Sequence, residues 1–159
     1  MSSKMLCRLI RLAVLATAVC ALFILLFIIP SWGTSIVEVN PEVSNRYLPW
    51  LVFIWIAALP CFAILIYIWK VSGAIKCEEV FTLRTAKWIK ISAVLLFSDA
   101  AFFFIGNAIL LLVNMSHPGI LLLSMLGNIF VIALALLAAV LSRYITKAAA
   151  LQEESECTI

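Results

Sequence analysis

The chain has 159 residues, of which 66% are hydrophobic and 12% are charged, and its formal net charge at pH 7 is +3. A soluble domain of this length could not bury so much apolar surface, so the composition excludes an ordinary soluble fold. The 5 cysteines are scattered without a CxxC pair, and there is 1 histidine. This pattern indicates neither a disulfide framework nor a metal site, and we expect no cofactor.

Four apolar stretches follow one another along the chain. Each has about 18 to 24 residues, enough for a helix to cross a hydrocarbon layer of about 30 Å. The sequence therefore predicts an all-α integral membrane four-helix bundle in residues 1–147, followed by a short acidic tail in residues 148–159. The predicted spans are 12–29, 48–71, 91–113 and 119–141.

The N-terminal segment resembles a signal peptide because Lys4, Arg8 and Arg11 precede the first apolar stretch. No small-residue cleavage site follows that stretch, so we expect an uncleaved first span. The polar residues 31–47 include several turn formers and predict a loop.

Two prolines mark the second span. Pro49 is predicted to stand in its first turn, and Pro60 near the centre is predicted to bend the helix. The bend could serve either as a packing kink or as a gating hinge.

Residues 70–90 are basic, and by the positive-inside rule they lie in the cytoplasm. Every Lys and Arg except Arg46 then falls on the cytoplasmic side, and so do both termini. Thr82 is a favourable N-cap, so we expect a helix to begin at Leu83 and to continue into the third span.

A very short connection, which includes Asn114, His117 and Pro118, separates the third and fourth spans. It forces these two spans into an antiparallel hairpin. Equal helical rises on either side of the connection then place Asn128 at about the level of Phe104.

Small residues are expected to let the two helices of the hairpin approach closely. We assign this role to Gly106 on the third span, and to Ser124 and Gly127 on the fourth.

The hairpin also carries polar residues, namely Asp99, Asn107 and Asn128. Ionisable groups inside membrane spans are rare, and they commonly serve ion or proton pathways. One interpretation makes Asp99 a proton or cation site, held in place by the two amides. The other makes it a neutral or hydrogen-bonded side chain that joins helices.

Enzymatic activity is not expected. Ser98 and Ser124 have no histidine at their depth, so no nucleophile, base and orienting group can be assembled. No Gly-rich phosphate loop is present, and the basic residues lie close to the membrane, so direct nucleic-acid binding is not expected either.

The stretch FSDAAFFFIGNAILLLVNMSHPGILLLS and the ending AAALQEESECTI resemble the YoaS-like family of small four-span bacterial membrane proteins of unknown function. The resemblance extends over most of the chain and is strongest from Phe81 onward. It implies a location in the bacterial cytoplasmic membrane and, often, a small helix-turn-helix regulator encoded alongside. It implies no established activity.

These observations lead to three hypotheses. The first is a non-enzymatic membrane protein that binds a small DNA-binding regulator in the cytosol. The second is an oligomeric proton or ion conductor centred on Asp99, and the third is a structural subunit of a larger membrane complex. For the first hypothesis, the candidate partner contacts on the inner face are Lys76, Arg84, Lys87, Glu153 and Glu154.

Overall fold

The structure, a computed structural model, describes residues 3–76, 80–114 and 118–156. The described chain is helical almost throughout and contains no strand, which confirms the predicted all-α class. The elements are α1 (Ser3–Phe23), a π-helical turn (Ile24–Ile28), α2 (Ile29–Val39), a 3-10 turn (Pro41–Val43), α3 (Ser44–Lys76), α4 (Leu83–Leu112) and α5 (Pro118–Glu156).

Four helical segments are long and apolar enough to cross a membrane, the first formed by α1, the π turn and α2 together. At most 17% of the residues in their most apolar windows are buried inside the protein. Large apolar side chains therefore point outward along all four segments, as they do where lipid is the solvent. The chain is a multi-pass membrane protein.

The first helical segment extends further than the sequence indicated. Residues 31–47 were predicted to form a loop, and this prediction is wrong because α2 continues to Val39. The hydroxyls of Thr34 and Ser35 donate to the carbonyl of Ser31. These polar side chains are thus satisfied within a helix instead of ending it.

The π turn is explained by the proline that follows it. The N–H of Ile29 donates to the carbonyl of Ile24, five residues earlier. With the same five-residue spacing, the carbonyl of Leu25 would accept from the N–H of residue 30. Pro30 has no N–H to give. The indole Nε1 of Trp55 on α3 donates to this carbonyl at 3.2 Å, so the group left over by the proline finds its partner on the neighbouring helix.

Helix α3 begins at Ser44 and passes through both Pro49 and Pro60 without a break. The prediction that Pro49 stands in the first turn is therefore wrong. The added turn brings Tyr47 onto α2, where its hydroxyl donates to the carbonyl of Pro30 at 3.3 Å. A Cβ at Gly33 would overlap the Tyr47 ring, so glycine is what permits this contact.

Contacts at the two ends show how the helices alternate in direction. At one end, which we call the basic end, the start of α1 meets the end of α3 through Arg11 Nε and Ser72 Oγ, at 3.2 Å. At the opposite end, the guanidinium of Arg46 donates to the carbonyl of Asn114, just beyond α4. Each helix packs mainly on its neighbours in the chain, α1 and α2 on α3, α3 on α4, and α4 on α5.

The hairpin of α4 and α5 has the most extensive interface. Thr82 caps α4 as predicted, since its side chain accepts from the N–H of Thr85. Buried small or polar residues recur every seven positions along both helices, a spacing typical of left-handed antiparallel pairs. On α4 these are Ala86, Ala93, Ala100 and Asn107, and on α5 they are Asn128, Ala135, Ser142 and Ala149.

The glycines do not form this interface, so the prediction made for them is wrong. A Cβ at Gly106 would overlap the ring of Phe53 on α3, whereas a Cβ at Gly127 would have nothing within 4 Å. Gly106 therefore allows α4 to approach α3, and alanines rather than glycines bring α4 close to α5.

Candidate functional site

Asp99 lies in the membrane-spanning part of α4 and faces α3. The thiol of Cys61 donates to its Oδ2 at 3.6 Å. The second oxygen, Oδ1, is out of reach of solvent and has no hydrogen-bond partner. In an apolar environment an unpaired oxygen of this kind costs about 1–3 kcal/mol, and more if the group is charged.

The two amides predicted beside Asp99 are both buried, but their bonding differs. Asn107 donates from Nδ2 to the carbonyl of Phe103 in its own helix at 2.8 Å. Asn128 on α5 has a buried Nδ2 without a partner. In the described residues, no hydrogen bond joins Asp99, Asn107 and Asn128 to one another, so a single site formed by all three stays a prediction.

The register of the hairpin shows how close these groups lie along the membrane normal. Ser142 Oγ on α5 donates to the carbonyl of Ala86 on α4 at 2.8 Å. Equal rises along two antiparallel helices then place Asn128 level with Ala100. The connection between the two spans had predicted that Asn128 is level with Phe104. The observed level is about one helical turn closer to Asp99. An unpaired acceptor on α4 and an unpaired donor on α5 therefore lie at nearly the same depth.

Sequence reasoning missed Cys61, which it counted only as one of the scattered cysteines. The available signal was the short connection between α3 and α4. Counting equal numbers of residues along α3 and α4 from the middle of residues 77–82 puts residue 60 or 61 opposite Asp99. The same count puts Phe53 opposite Gly106. This count needs the observed end of α3 at Lys76, because the sequence predicted that the second span ends at residue 71.

The groups at this site are suited to binding a proton or a small cation and to hydrogen bonding. The described residues contain no group of three or more His, Cys, Asp or Glu side chains that could hold a metal ion. Asp99 and Cys61 together provide one carboxylate and one thiol, which can bind a proton or exchange a hydrogen bond.

At the end opposite the basic end, the predicted hairpin residues have separate roles. Asn114 has φ 55°, the left-handed conformation that commonly follows the end of a helix. Its carbonyl accepts from Arg46, and a cation is favourable at this negative end of the α4 dipole. Pro118 is the first residue of α5, and His117 lies outside the described residues.

Two cations at the basic end, Arg11 and Lys70, lie against aromatic rings. The guanidinium of Arg11 lies 4.9 Å from the ring centre of Trp69. The ammonium of Lys70 lies 5.2 Å from the ring centre of Tyr67 and 6.0 Å from the ring centre of Trp88. Such contacts help to fix the side chains where water and hydrocarbon meet.

The predicted partner contacts at the basic end include both basic and acidic residues. Arg84 and Lys87 are exposed on the first turns of α4, and Glu153 and Glu154 are exposed near the end of α5. Lys76 is the last residue of α3, and its side chain lies outside the described atoms. These residues thus belong to the ends of three helices, and their function as one surface stays a prediction.

The chain is similar to a known protein family. A family model with the description "Protein of unknown function (DUF2975)" matches residues 32–159. No curated protein and no solved structure matches the chain.

Proposed function

We propose that the protein, which belongs to DUF2975, a family of proteins of unknown function, is a non-enzymatic protein of the bacterial cytoplasmic membrane. In this proposal it holds a cytosolic protein partner at its basic end. The resemblance to YoaS-like proteins makes a small helix-turn-helix regulator the expected partner. The positive-inside rule supports a cytoplasmic location for the basic end, and with it for both termini.

The observation that carries this proposal is the length of the hairpin helices. Helix α5 has 39 residues and is therefore about 58 Å long, almost twice the thickness of a hydrocarbon core of about 30 Å. Its apolar stretch ends at Leu141, so the remainder extends roughly 20 Å past the membrane-spanning part. The start of α4, with Arg84 and Lys87, lies beside this extension.

The extension offers both charge and apolar area. Basic side chains stand on α4, and the acidic Glu153 and Glu154 stand on α5. Beside them, Phe81 is 55% and Leu151 is 66% exposed. Apolar side chains with charges at the rim are the usual composition of a protein contact surface.

Reversing the charge on α4 tests the proposal. We expect Arg84→Glu combined with Lys87→Glu to lower recovery of the regulator at least tenfold, because like charges across an interface cost several kcal/mol. The measurement is co-purification of the regulator with the membrane protein after mild crosslinking, followed by mass spectrometry.

Lys4→Glu combined with Arg8→Glu is the matched control, since it reverses two exposed cations at the same end, on α1. This variant should recover the regulator as the unchanged protein does. Recovery of no cytosolic regulator by the unchanged protein across growth conditions would count against the proposal, and so would equal losses in the two variants.

A second candidate function is supported by the unpaired oxygen of Asp99. An oligomer that encloses Asp99 could pass protons or small cations, with the free Oδ1 as the binding atom. The unpaired Nδ2 of Asn128 at nearly the same depth adds a second polar group to such a path. A structural subunit of a membrane complex is the remaining alternative, and a stable native assembly with other integral proteins would favour it.

The conductor hypothesis makes a direct prediction for purified protein in liposomes. Asp99→Asn keeps the shape of the side chain but removes the acid, so we expect proton or cation flux to fall at least tenfold. Cys61→Ala leaves the acid in place and should retain most of the flux. Flux that is the same in Asp99→Asn and the unchanged protein would exclude this function.

A further inference from the structure

A groove of about 760 Å³ lies between α4 and α5 at the basic end. One part of its wall is cationic and formed by Lys90, Arg143 and Lys147, and the other part is apolar and includes Val94, Phe97 and Val140. Ser142, whose hydroxyl donates to the carbonyl of Ala86, also lines the groove and fixes the two helices to each other there. The groove is therefore built on the pair of helices with the most extensive interface.

The three cations of the groove are not used by the fold. Arg11 and Lys70 at the same end rest on aromatic rings. In the described parts of the chain, by contrast, Lys90, Arg143 and Lys147 have neither an acidic partner nor a hydrogen bond. Arg143 and Lys147 also stand one turn apart on α5, a spacing at which like charges repel and destabilise a helix. An anion bound between them would relieve this repulsion.

The apolar part of the groove lies at membrane depth. Lys90 immediately precedes the apolar stretch of α4, and Arg143 follows closely on that of α5. Val94 and Phe97 lie further into the membrane than Lys90, and Val140 lies further in than Arg143. These three apolar side chains are 54%, 38% and 49% exposed. Along each helix the wall of the groove thus changes from cationic to apolar toward the membrane interior, in the same order as phosphate and acyl chain in a lipid.

We propose that this groove binds an anionic phospholipid. The phosphate contacts Lys90, Arg143 and Lys147, and an acyl chain lies along Val94, Phe97 and Val140. Basic grooves between membrane helices are suited to acidic headgroups because the lipid supplies both the charge and the apolar tail. The inference is independent of the protein partner proposed above, because it requires neither Arg84 nor the acidic residues of α5.

The test is a lipid titration of the purified full chain in mild detergent, followed by native mass spectrometry. The probes are palmitoyl-oleoyl phosphatidylglycerol, the phosphatidylcholine with the same acyl chains, and glycerol phosphate as the headgroup without a tail. We expect the unchanged protein to retain phosphatidylglycerol in preference to the other two. Each cation near an anionic headgroup contributes about a fivefold factor, so Arg143→Gln with Lys147→Gln should weaken phosphatidylglycerol binding at least tenfold.

Lys4→Gln with Arg8→Gln is a close control because it removes two exposed cations with the same four-residue spacing at the same end of the molecule. This pair should leave phosphatidylglycerol binding within about twofold, whereas Lys90→Gln should weaken it about fivefold. Circular dichroism of each variant establishes that it is folded.

Three results would overturn the proposal. The first is an unchanged protein that does not prefer phosphatidylglycerol to phosphatidylcholine. The second is an equal loss in the two double variants, which would assign the attraction to overall charge instead of the groove. The third is glycerol phosphate binding as tightly as the lipid, which would make the site one for a soluble phosphate.

Discussion

Replacing Ala135 by leucine should destabilise the protein by about 2–3 kcal/mol, because three carbon atoms would be forced into a close-packed interface. Ala135 is 0% exposed, and in the register set by Ser142 and Ala86 it stands opposite Ala93. The methyl group of Ala93 cannot rotate out of the way, so the helices themselves must separate at this level. The measurement is the free energy of unfolding in mixed micelles of mild and denaturing detergent.

The matched control is Ala133→Leu, which makes the same chemical change two residues away on the same helix. Ala133 is exposed, so its added carbons would meet lipid, and the free energy of unfolding should change by less than about 0.5 kcal/mol. Equal effects of the two substitutions would contradict the assignment of the seven-residue repeat to the α4 and α5 interface.

Gly106→Ala should lower the free energy of unfolding by about 1–3 kcal/mol, although alanine ordinarily favours a helix over glycine by about 1 kcal/mol. The added Cβ would overlap the ring of Phe53. That ring packs at 5.4 Å from Phe102 and 5.7 Å from Phe103, measured between ring centres. It therefore has little freedom to move away, and α3 would have to shift on α4.

Gly127→Ala provides the comparison, because its Cβ would have nothing within 4 Å. This variant should be as stable as the unchanged protein or slightly more stable. A double-mutant cycle of Gly106→Ala with Phe53→Leu should show a coupling of at least about 1 kcal/mol, since the two side chains share one space. Additive effects in that cycle would show that the collision with Phe53 is not the cause.

Sequence reasoning succeeded where one strong physical term decides the structure. The four spans followed from the cost of placing backbone polar groups in hydrocarbon, which leaves helices as the only structure for each apolar stretch. The start of α4 followed from the capping chemistry of Thr82, which is local in sequence. Neither inference needed knowledge of how the helices pack.

The failures concern contacts between helices. The polar residues near Ser31 were read as a loop because the hydroxyls that bond back to a helix carbonyl look the same in sequence as those that end a helix. The approach assigned to Gly106 was correct in kind but placed on the wrong neighbour, because a small residue shows that something comes close without showing which helix it is.

The candidate site was predicted in part. The depth of Asp99, Asn107 and Asn128 could be read from helix length and the short connection to within about one helical turn. Their hydrogen bonds could not, because rotation of each helix about its axis depends on the whole packed interface.

The packing of each helix on its neighbour in the chain bears on how the protein is made. A ribosome delivers the spans to the bilayer one after another, and each new span meets the surface it needs on the span just inserted. Assembly then requires no earlier segment to wait for a distant one, and the final helical pair can dock as soon as its own turn has emerged. Contacts that are close in sequence are also the ones that form fastest, so synthesis and folding proceed in the same order.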